Sequence, residues 1–456
     1  MMGYFFVLIM FKEFAKNKVV SGIFIGVALS IFFSILVLVN PFEKLHLKLS
    51  DSLYDNQNPS DEIIIISIDE KSVQSKPEGL GSFSQWSRSN YTDLLNVLNN
   101  QEASVIALDI IFFGKTESVK FEEVNKLMNE EELDDAEILK SISNPLKSLV
   151  DINFAAQLED FENIVLAFNS NKYDSNPAIY PLNKFSKSAI LGDINSLLDK
   201  DKVLRSFAVD FYDEDSETWY DDFGTAIAKK HLETSNLNLK LEDDKLLINY
   251  FGDAYSYTAI SFIDVINGKF ESETFEDKIV LIGITGSAMV TDSYATPVDK
   301  DTLMPGVEIR ANEIQTILER KFLVNQGKMM QIATIFLIST LLAILLNYLA
   351  ISLSLILALG TIALYTYSAH FFFDRGIILN MIYPYLVIVA TYIASWIYRY
   401  FVSDKSKREI TSAFGHYVSD ELVKQISKNP DMVKLGGERK EVTVLFSDVK
   451  GSTTHS

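Results

Sequence analysis

A chain of 456 residues is long enough for two or three domains. Its formal net charge of -20 argues against nucleic acid as a partner, and the absence of cysteine excludes disulfides as a source of stability. A hydrophobic content of 48% with positive mean hydropathy indicates membrane-spanning segments.

The first of these segments is the uncharged run at residues 19–39, which has about the length that a bilayer-spanning helix requires. Lys12, Lys16 and Lys18 precede it and predict a cytoplasmic N-terminus over residues 1–18. A cleaved signal peptide is the alternative. The run is long for a signal peptide and is followed by no small-residue cleavage pattern, so we predict a membrane anchor.

Residues 40–328 form a region outside the membrane, in which predicted strands alternate with helices. Apolar runs at 63–69, 105–111 and 278–284 predict buried strands, and a helix is predicted over 88–99. This spacing favours an α/β domain with a mainly parallel sheet and helices on its faces. The acid-rich stretch from about 116 to 150 has little apolar periodicity and predicts a surface insertion with helical tendency.

Some residues of this region are candidates for chemistry. Asp69 and Asp109 come at the ends of predicted strands, where two carboxylates could bind a metal or act as acid and base. Asp69 could equally cap a helix and Asp109 lies within an apolar strand, so structural roles are favoured. Gly283 and Gly286 could approach a ligand but are more typical of a turn. The histidines are scattered and predict no metal cluster: His46, His231, His370, His416 and His455.

Further apolar runs at residues 329–349, 350–373 and 377–398 predict additional spans. We expect a tight turn near Asn347 or Tyr348 between the first two, and a kink at Pro384 in the last. No charged residue interrupts these runs, which argues against a transport pathway.

Four spans would place both termini on one side of the membrane. Arg399, Lys405, Lys407 and Arg408 follow the last span and, with the N-terminal lysines, assign that side to the cytoplasm. The opposite face carries fewer cations in the segments that flank the spans: Lys321, Lys328 and Arg375. We therefore predict a multi-pass protein of the plasma membrane, the inner membrane in bacteria, with the α/β domain outside.

Several motifs of the outside region occur in a fixed order: ISIDEKS from Ile66, WSRSNYTDLL from Trp86, VIALDIIF from Val105, KIVLIGIT from Lys278 and MPGVEIRANEIQTIL from Met304. This order resembles the second type of CHASE sensory domain. The resemblance implies an extracytoplasmic sensor fused to a cyclase, a histidine kinase or a Ser/Thr kinase. It indicates no ligand, and the long acidic insertion is a departure from the family pattern.

The connector at residues 399–434 has apolar residues at mixed helical spacing among charges: Phe401, Ile410, Phe414 and Tyr417. This pattern suits a short helix that pairs with the same helix of a second chain, and a single solvated helix is the alternative.

The tail continues with VTVLFSDVKGST at residues 442–453, a strand pattern followed by the single carboxylate of Asp448. An ordinary strand with an acid and a turn is one interpretation. With FGHYVS from Phe414 and LGGER from Leu435, the tail also resembles the opening of a class III nucleotide cyclase catalytic domain, here residues 435–456.

That resemblance implies an α+β, ferredoxin-like domain that binds two Mg²⁺ or Mn²⁺ ions. Asp448 would be the first metal-binding aspartate, and the backbone carbonyl of Val449 would hold the second ion. A turn would face the nucleotide phosphates with the backbone N–H groups of Lys450, Gly451, Ser452 and Thr453.

The function implied is that of a membrane receptor which regulates conversion of ATP, or less typically GTP, to a cyclic nucleotide and pyrophosphate at a homodimer interface. The other catalytic residues of the family would follow the tail, so we expect this sequence to be a fragment and this chain alone to be inactive. The alternative is a non-enzymatic sensor or decoy subunit that pairs with a complete cyclase. Kinase and transporter functions rank lower.

Overall fold

The computed structural model describes residues 17–400 together with residue 443, apart from these gaps: 55–56, 117–135, 172–176, 215, 243, 287–291 and 299–300. For residues 136–144 it describes the backbone alone. Nearly all of the connector and of the tail that resembles a cyclase domain lies outside the described residues.

The described residues form two compact units. One comprises Phe32–Ile335 and Gly360–Leu386 and contains the predicted α/β domain. The other comprises the described parts of Met1–Ile31, Phe336–Leu359 and Val387–Ser456.

The α-helices of the described residues are α1 (Lys18–Val39), α2 (Glu43–Ser50), α3 (Arg88–Asn100), α4 (Ala136–Asp160), α5 (Asn183–Ser186), α6 (Phe223–His231), α7 (Phe262–Ile266), α8 (Gly306–Leu318), α9 (Lys328–Leu346), α10 (Ile351–Phe373) and α11 (Ile382–Arg399). Short 3₁₀ helices lie at Asp51–Leu53 and Phe83–Gln85.

The strands are β1 (Ile63–Ile68), β2 (Val105–Leu108), β3 (Ile164–Phe168), β4 (Ile190–Asp193), β5 (Leu197–Leu198), β6 (Leu204–Ala208), β7 (Asp210–Asp213), β8 (Thr218–Asp222), β9 (Lys245–Leu247), β10 (Ala259–Ser261), β11 (Ile279–Ile284), β12 (Ser293–Tyr294), β13 (Met304–Pro305), β14 (Val324–Asn325) and β15 (Ile377–Ile378).

Eight strands form the central sheet in the order β10-β1-β11-β2-β3-β4-β8-β7. Every neighbouring pair is parallel except β7 and β8 at one edge. Helices α3, α4 and α7 pack on one face and α6 and α8 on the other. The predicted α/β domain with a mainly parallel sheet is therefore confirmed.

Local sequence explains the central elements. All six residues of β1, IIIISI, are buried, as expected for a β-branched run covered on both faces. Helix α3 begins after Ser87, whose side chain accepts a hydrogen bond from the Ser89 N–H. Its apolar residues recur at helical spacing and face the core: Tyr91, Leu94, Leu95 and Leu98.

Two predictions about this domain need correction in part. Strand β2 ends at Leu108, so Asp109 stands at the end of the strand, which was one alternative, and not within it. The helical tendency predicted for residues 116–150 is confirmed from Ala136 onward by α4, but this helix does not lie wholly at the surface, since it buries side chains at four-residue intervals: Leu146, Val150, Phe154 and Leu158. The acid-rich composition hid this apolar face, which packs beside α3.

Helix α8 is buried over almost its whole length, from Gly306 to Ile317, although half of its side chains are polar. The Glu308 carboxylate accepts hydrogen bonds from the backbone N–H groups of Tyr255, Ser256 and Tyr257, at 2.6, 2.8 and 3.2 Å. A buried carboxylate needs such partners. Here the partners come from a loop, so the helix also fixes the course of that loop.

The other polar side chains of α8 hold further loops in the same way. Asn312 Oδ1 accepts from the Phe251 N–H at 2.9 Å, and Gln315 Oε1 accepts from the Ser60 N–H at 3.0 Å. Thr316 Oγ1 accepts from the backbone N–H of Asn249 at 3.0 Å. Segments distant in sequence are therefore fastened to one helix.

A smaller antiparallel sheet, β5-β6-β9, carries Arg205, whose side chain is almost fully buried. Its guanidinium forms ion pairs with Asp51, Asp199 and Asp201 at 2.7 to 2.8 Å. Asp51 lies directly after α2. This network therefore ties the segment that follows the first apolar helix to the α/β domain.

The outer ends of the apolar helices are joined within the same unit. Strand β14 pairs with β15, so Ile377 and Ile378 form a strand rather than the start of a span. Tyr383 donates its hydroxyl hydrogen to Leu36 O or Asn40 Oδ1, at 3.2 and 3.0 Å. Pro384 lies in the first turn of α11, where no N–H is needed, so the predicted kink has no cause there.

The second unit contains a close pairing of α1 with α9. A Cβ added at Gly22 would lie 2.7 Å from Ile344 Cα, and one at Gly26 would lie 2.5 Å from Thr340 Cα. Ser339 Oγ donates to Gly26 O across this contact at 3.0 Å. Small residues four apart allow helix backbones to approach closely, as in membrane helix pairs.

Three described helices are long and apolar enough to cross a membrane: α1, α9 and α10. Helix α11, which corresponds to the predicted fourth span, is not among them. The number of spans therefore stays a prediction.

Replacing Glu308 by alanine should destabilise the α/β domain, because backbone N–H groups of residues 255–257 would lose their acceptor. A buried donor without a partner costs about 1 to 3 kcal/mol, so we expect the free energy of unfolding to fall by about 2 kcal/mol or more. Chemical denaturation of the full chain in detergent measures this. Glu276→Ala at an exposed position is the matched control, and equal stability of both variants would contradict the role of Glu308.

Candidate functional site

The carboxyl ends of the parallel strands are where ligand sites of open α/β sheets usually lie. Several acidic residues stand at this edge. Asp109 follows β2, Asp193 ends β4 and Asp222 ends β8, and Asp193 is paired with Asp222 in the sheet register. Both Asp193 and Asp222 are buried. The fold therefore concentrates negative charge along one edge.

A single buried cation from α8 meets these acids. Arg310 Nη1 lies 2.7 Å from Glu313 Oε1 and 3.7 Å from Asp222 Oδ1. Its Nη2 donates to Ser196 Oγ at 3.0 Å and to Ile194 O. Burial alone would lower the pKa of Arg310, but the charges of Glu313, Asp222 and Asp109 raise it well above its ordinary value. Arg310 is therefore charged, and it holds the loop after β4.

The acids at this edge are held in different ways. Asp222 caps α6, since its Oδ2 accepts from the N–H groups of Gly224 and Thr225 at 2.8 and 3.3 Å. Asp193 accepts from the N–H and the hydroxyl of Ser170 at 2.9 and 2.6 Å. Burial raises the pKa of both carboxyls despite these bonds. Each is thus positioned by the backbone of a neighbouring element.

Asp109 is the half-buried member of the cluster. Burial raises the pKa of its carboxyl to about 7, and the charge of Asp292 acts in the same direction. Arg310 opposes the increase and Glu313 adds to it. Asp109 is therefore a carboxyl whose protonation changes near neutral pH.

One oxygen of Glu313 is fully buried and has no hydrogen-bond partner among the described residues. A Cβ built on Gly224 would lie 3.1 Å from this Oε2 atom, so it faces the first turn of α6. Thr225 Oγ1, in the same turn, is likewise buried without a partner among the described atoms. Burial raises the pKa of Glu313, although Arg310 lowers it.

The arrangement places one arginine among the carboxyls of Asp109, Asp193, Asp222 and Glu313. Such a cluster can take up and release protons, and its excess of acids suits a cationic group better than an anion. Among the described residues no group of three or more His, Asp or Glu side chains is arranged to hold a metal ion.

Asp69 and Asp109, which the sequence suggested as a possible pair of carboxylates, contact different residues. Asp69 Oδ1 accepts from the N–H and hydroxyl of Ser72, at 2.9 and 2.6 Å, and from Ser261 Oγ at 2.9 Å. These bonds fasten the turn after β1 to β10. Asp69 therefore has a structural role, but it holds a turn and not the start of a helix. The charges that act on Asp109 come from Asp292, Arg310 and Glu313. The structure thus groups Asp109 with residues of α8.

The predicted histidines lie in different parts of the structure. His231 Nδ1 lies 2.8 Å from Ser104 Oγ, while His46 Nδ1 is buried with no partner among the described residues. Burial lowers the pKa of His46 to about 4, with help from the charge of Arg205. His370 belongs to α10, and His416 and His455 lie outside the described residues.

Gly283 lies in β11, where a Cβ would be 2.6 Å from Val307 Cβ. Its role is therefore close packing of the sheet on α8. Gly286 follows the strand, and its N–H donates to Ile68 O at 3.3 Å. The predicted cyclase residues lie outside the described residues and stay predictions: Asp448, Val449, Lys450, Gly451, Ser452 and Thr453.

Sequence reasoning missed Arg310 and Glu313 and did not select Asp193 or Asp222. A signal was present in the GVEIRANEIQTI stretch, where an arginine and a glutamate three residues apart stand among apolar residues. Charges on a buried helix require partners, so such a pair marks a polar centre. The partner acids cannot be identified in this way, since they come from other elements.

Comparison with known families agrees with this architecture. The sequence model of the CHASE2 domain matches residues 26–353, which is well over half of the chain. The chain therefore belongs to the CHASE2 domain family, and it is a membrane protein with an extracellular sensor domain. The match ends before the tail at residues 435–456. No curated protein and no solved structure matches the chain.

The carboxyl of Asp109 should make the stability of the sensor depend on pH. Its pKa of about 7 lies above that of an unfolded aspartate, about 3.9, so the folded chain binds the proton more tightly. Protonation of Asp109 therefore stabilises the folded sensor at low pH. This stabilisation is lost as the pH rises through 7, at up to about 1.4 kcal/mol per pH unit.

Asp109→Asn should remove that dependence, because asparagine resembles the protonated form. The test is the thermal unfolding temperature of the full chain at several pH values between about 4 and 8. Asp61→Asn, at an exposed aspartate, is the matched control. An unchanged pH profile in Asp109→Asn would show that this carboxyl titrates normally.

Proposed function

We propose that this chain is the receptor part of a class III nucleotide cyclase, in which the extracellular CHASE2 domain regulates conversion of ATP to cyclic AMP and pyrophosphate. The observation that carries the proposal is the order along the chain: a CHASE2 domain, apolar helices and then VTVLFSDVKGST at residues 442–453. GTP is the alternative substrate. In this function the chain crosses the membrane four times and both termini are cytoplasmic.

The proposed catalytic contribution of this chain is one half of a metal site. Asp448 offers a carboxylate and Val449 a backbone carbonyl, the hard oxygen ligands that Mg²⁺ and Mn²⁺ prefer. When bound, two such ions supply charge stabilisation for attack of the ribose 3′-hydroxyl on the α-phosphate. Lys450 to Thr453 would present backbone N–H groups to the phosphates.

Contacts at the base of the sensor support a route for the signal. The Arg205–Asp51 ion pair ties the sensor to the segment after α1, and the β14–β15 pair ties it to the loop before α11. A rearrangement of the sensor therefore acts on the ends of several apolar helices together. In a homodimer, a bias of about 1 to 3 kcal/mol between two arrangements of the connector would be enough to regulate an active site at the interface.

The proposal predicts that Asp448→Ala, made in the whole protein that contains this chain, abolishes cyclase activity. Removing a metal ligand removes several kcal/mol of transition-state stabilisation, so we expect the rate to fall about 100-fold or more. The measurement is cyclic AMP formation from ATP, and separately cyclic GMP formation from GTP, by isolated membranes with Mg²⁺ or Mn²⁺.

Asp431→Ala is the matched control, because this aspartate precedes the motif in the same cytoplasmic region. It should leave the rate within about twofold of the wild-type rate. Undiminished activity of Asp448→Ala would refute the assigned role. A wild-type protein that forms no cyclic nucleotide alone but raises the activity of a co-expressed cyclase would favour the non-enzymatic sensor subunit.

A further inference from the structure

A cleft of about 430 Å³ lies at the base of the sensor, between the segment after α8 and the segment after α10. Its wall contains Arg320 and Lys321 from the first segment and Phe373 to Gly376 from the second. Lys240 lines it from a third segment. The cleft is therefore built from parts of the sensor and from the end of an apolar helix.

The charge of the cleft is opposite to that of the whole chain. Lys240, Arg320, Lys321 and Arg375 line it with a single acid, Asp374, while the chain carries a net charge of -20. All four cations are exposed to solvent. Exposed positive charge gathered against such a background favours an anionic ligand.

The cations are largely free to bind such a ligand. Lys321 pairs with Glu319 at 2.7 Å, but among the described residues no acidic side chain forms an ion pair with Lys240, Arg320 or Arg375. Arg375 is also held in place. Its guanidinium carbon lies 3.5 Å from the centre of the Phe371 ring, and Nη1 donates to Phe371 O at 2.8 Å. This leaves other guanidinium N–H groups to donate to a ligand.

A buried amide lines the same cleft. Asn249 is 4% exposed, and its Oδ1 has no hydrogen-bond partner among the described residues. An amide oxygen accepts hydrogen bonds, so it is suited to a hydroxyl donor of a bound molecule and not to its anionic group.

The position of the cleft identifies the source of the anion. Phe373 is the last residue of α10, one of the helices long enough to cross a membrane, so Arg375 follows directly at the level of the lipid headgroups. Phe371 beside it is 42% exposed and offers an apolar surface next to the cation. Cations outside the membrane run against the usual cytoplasmic bias and call for another explanation.

We propose that this cleft binds the phosphate of an acidic phospholipid in the outer leaflet. The arginine groups donate paired N–H bonds to phosphate oxygens, and the lysines add positive charge. The proposal is independent of the cyclase activity, since it concerns the sensor and its membrane contact alone. A lipid bound there lies beside β15 and beside Phe373, whose ring is 5.0 Å from that of Tyr54. It is thereby placed to bias the contacts between sensor and helices.

The test is native mass spectrometry of the full chain in detergent, titrated with short-chain phosphatidylglycerol or with phosphatidylcholine of the same chain length. We expect phosphatidylglycerol to bind at least about tenfold more tightly. The triple variant Lys240→Gln, Arg320→Gln, Arg375→Gln should weaken phosphatidylglycerol binding roughly 100-fold, since each cation near a membrane surface contributes about fivefold.

Two further variants complete the experiment. Lys187→Gln, Lys202→Gln, Lys269→Gln removes the same number of charges at exposed positions outside the cleft and should bind like the wild type. Lys240→Arg, Arg320→Lys, Arg375→Lys keeps the charges but removes the paired guanidinium bonds, so it should bind more weakly than the wild type and more tightly than the glutamine variant of the cleft. Equal binding of both phospholipids, or equal loss in the two glutamine variants, would overturn the proposal. Competition by inorganic phosphate at the concentration of the lipid would assign the cleft to a free anion and overturn the lipid assignment.

Discussion

The polar side chains of α8 lie inside the sensor, and the rest of the structure depends on supplying them with hydrogen-bond and ion-pair partners. A helix that is buried from Gly306 to Ile317 leaves no water for its acids, amides and arginine, so other parts of the chain must supply their partners. The loop at residues 255–257 supplies N–H groups to Glu308, and the segment near Ser60 supplies one to Gln315. The loops around the sheet are arranged by this requirement, and the acid cluster at the sheet edge is one result of it.

The two buried arginines Arg205 and Arg310 both need acidic partners, and they are paired in different ways. Arg205 meets three aspartates, each at an ion-pair distance, and the network joins the sensor to the segment after α1. Arg310 makes one close ion pair, with Glu313, while Asp222 stands farther away and Asp109 interacts through its charge alone. Burial raises the pKa of an acid in each network, Asp199 beside Arg205 and Glu313 beside Arg310. The first network joins two segments of the chain, and the second gathers carboxyls at the edge of the sheet.

The base of the sensor combines connection with an exposed basic surface. Short strands, the Tyr383 hydroxyl and the Arg205 network bring the outer ends of apolar helices together within one unit. Strand β14 pairs with β15 over two residues, whereas β1 pairs with β11 over six in the central sheet.

The sequence by itself determined the elements whose signals are local. The run IIIISI in β1, the periodic apolar residues of α3 and the long apolar helices are set by patterns within a few turns or one strand. The α/β class and the family resemblance followed from their order. Tertiary structure alone decided the partners of Arg310, the pairing of Ile377 with Val324, and the burial of α4 beneath an acid-rich composition. The physical reason is that most of these contacts join distant parts of the sequence, such as Arg310 with Asp222 and Ile377 with Val324. The free energy that selects them comes from burial and charge pairing that no local pattern contains.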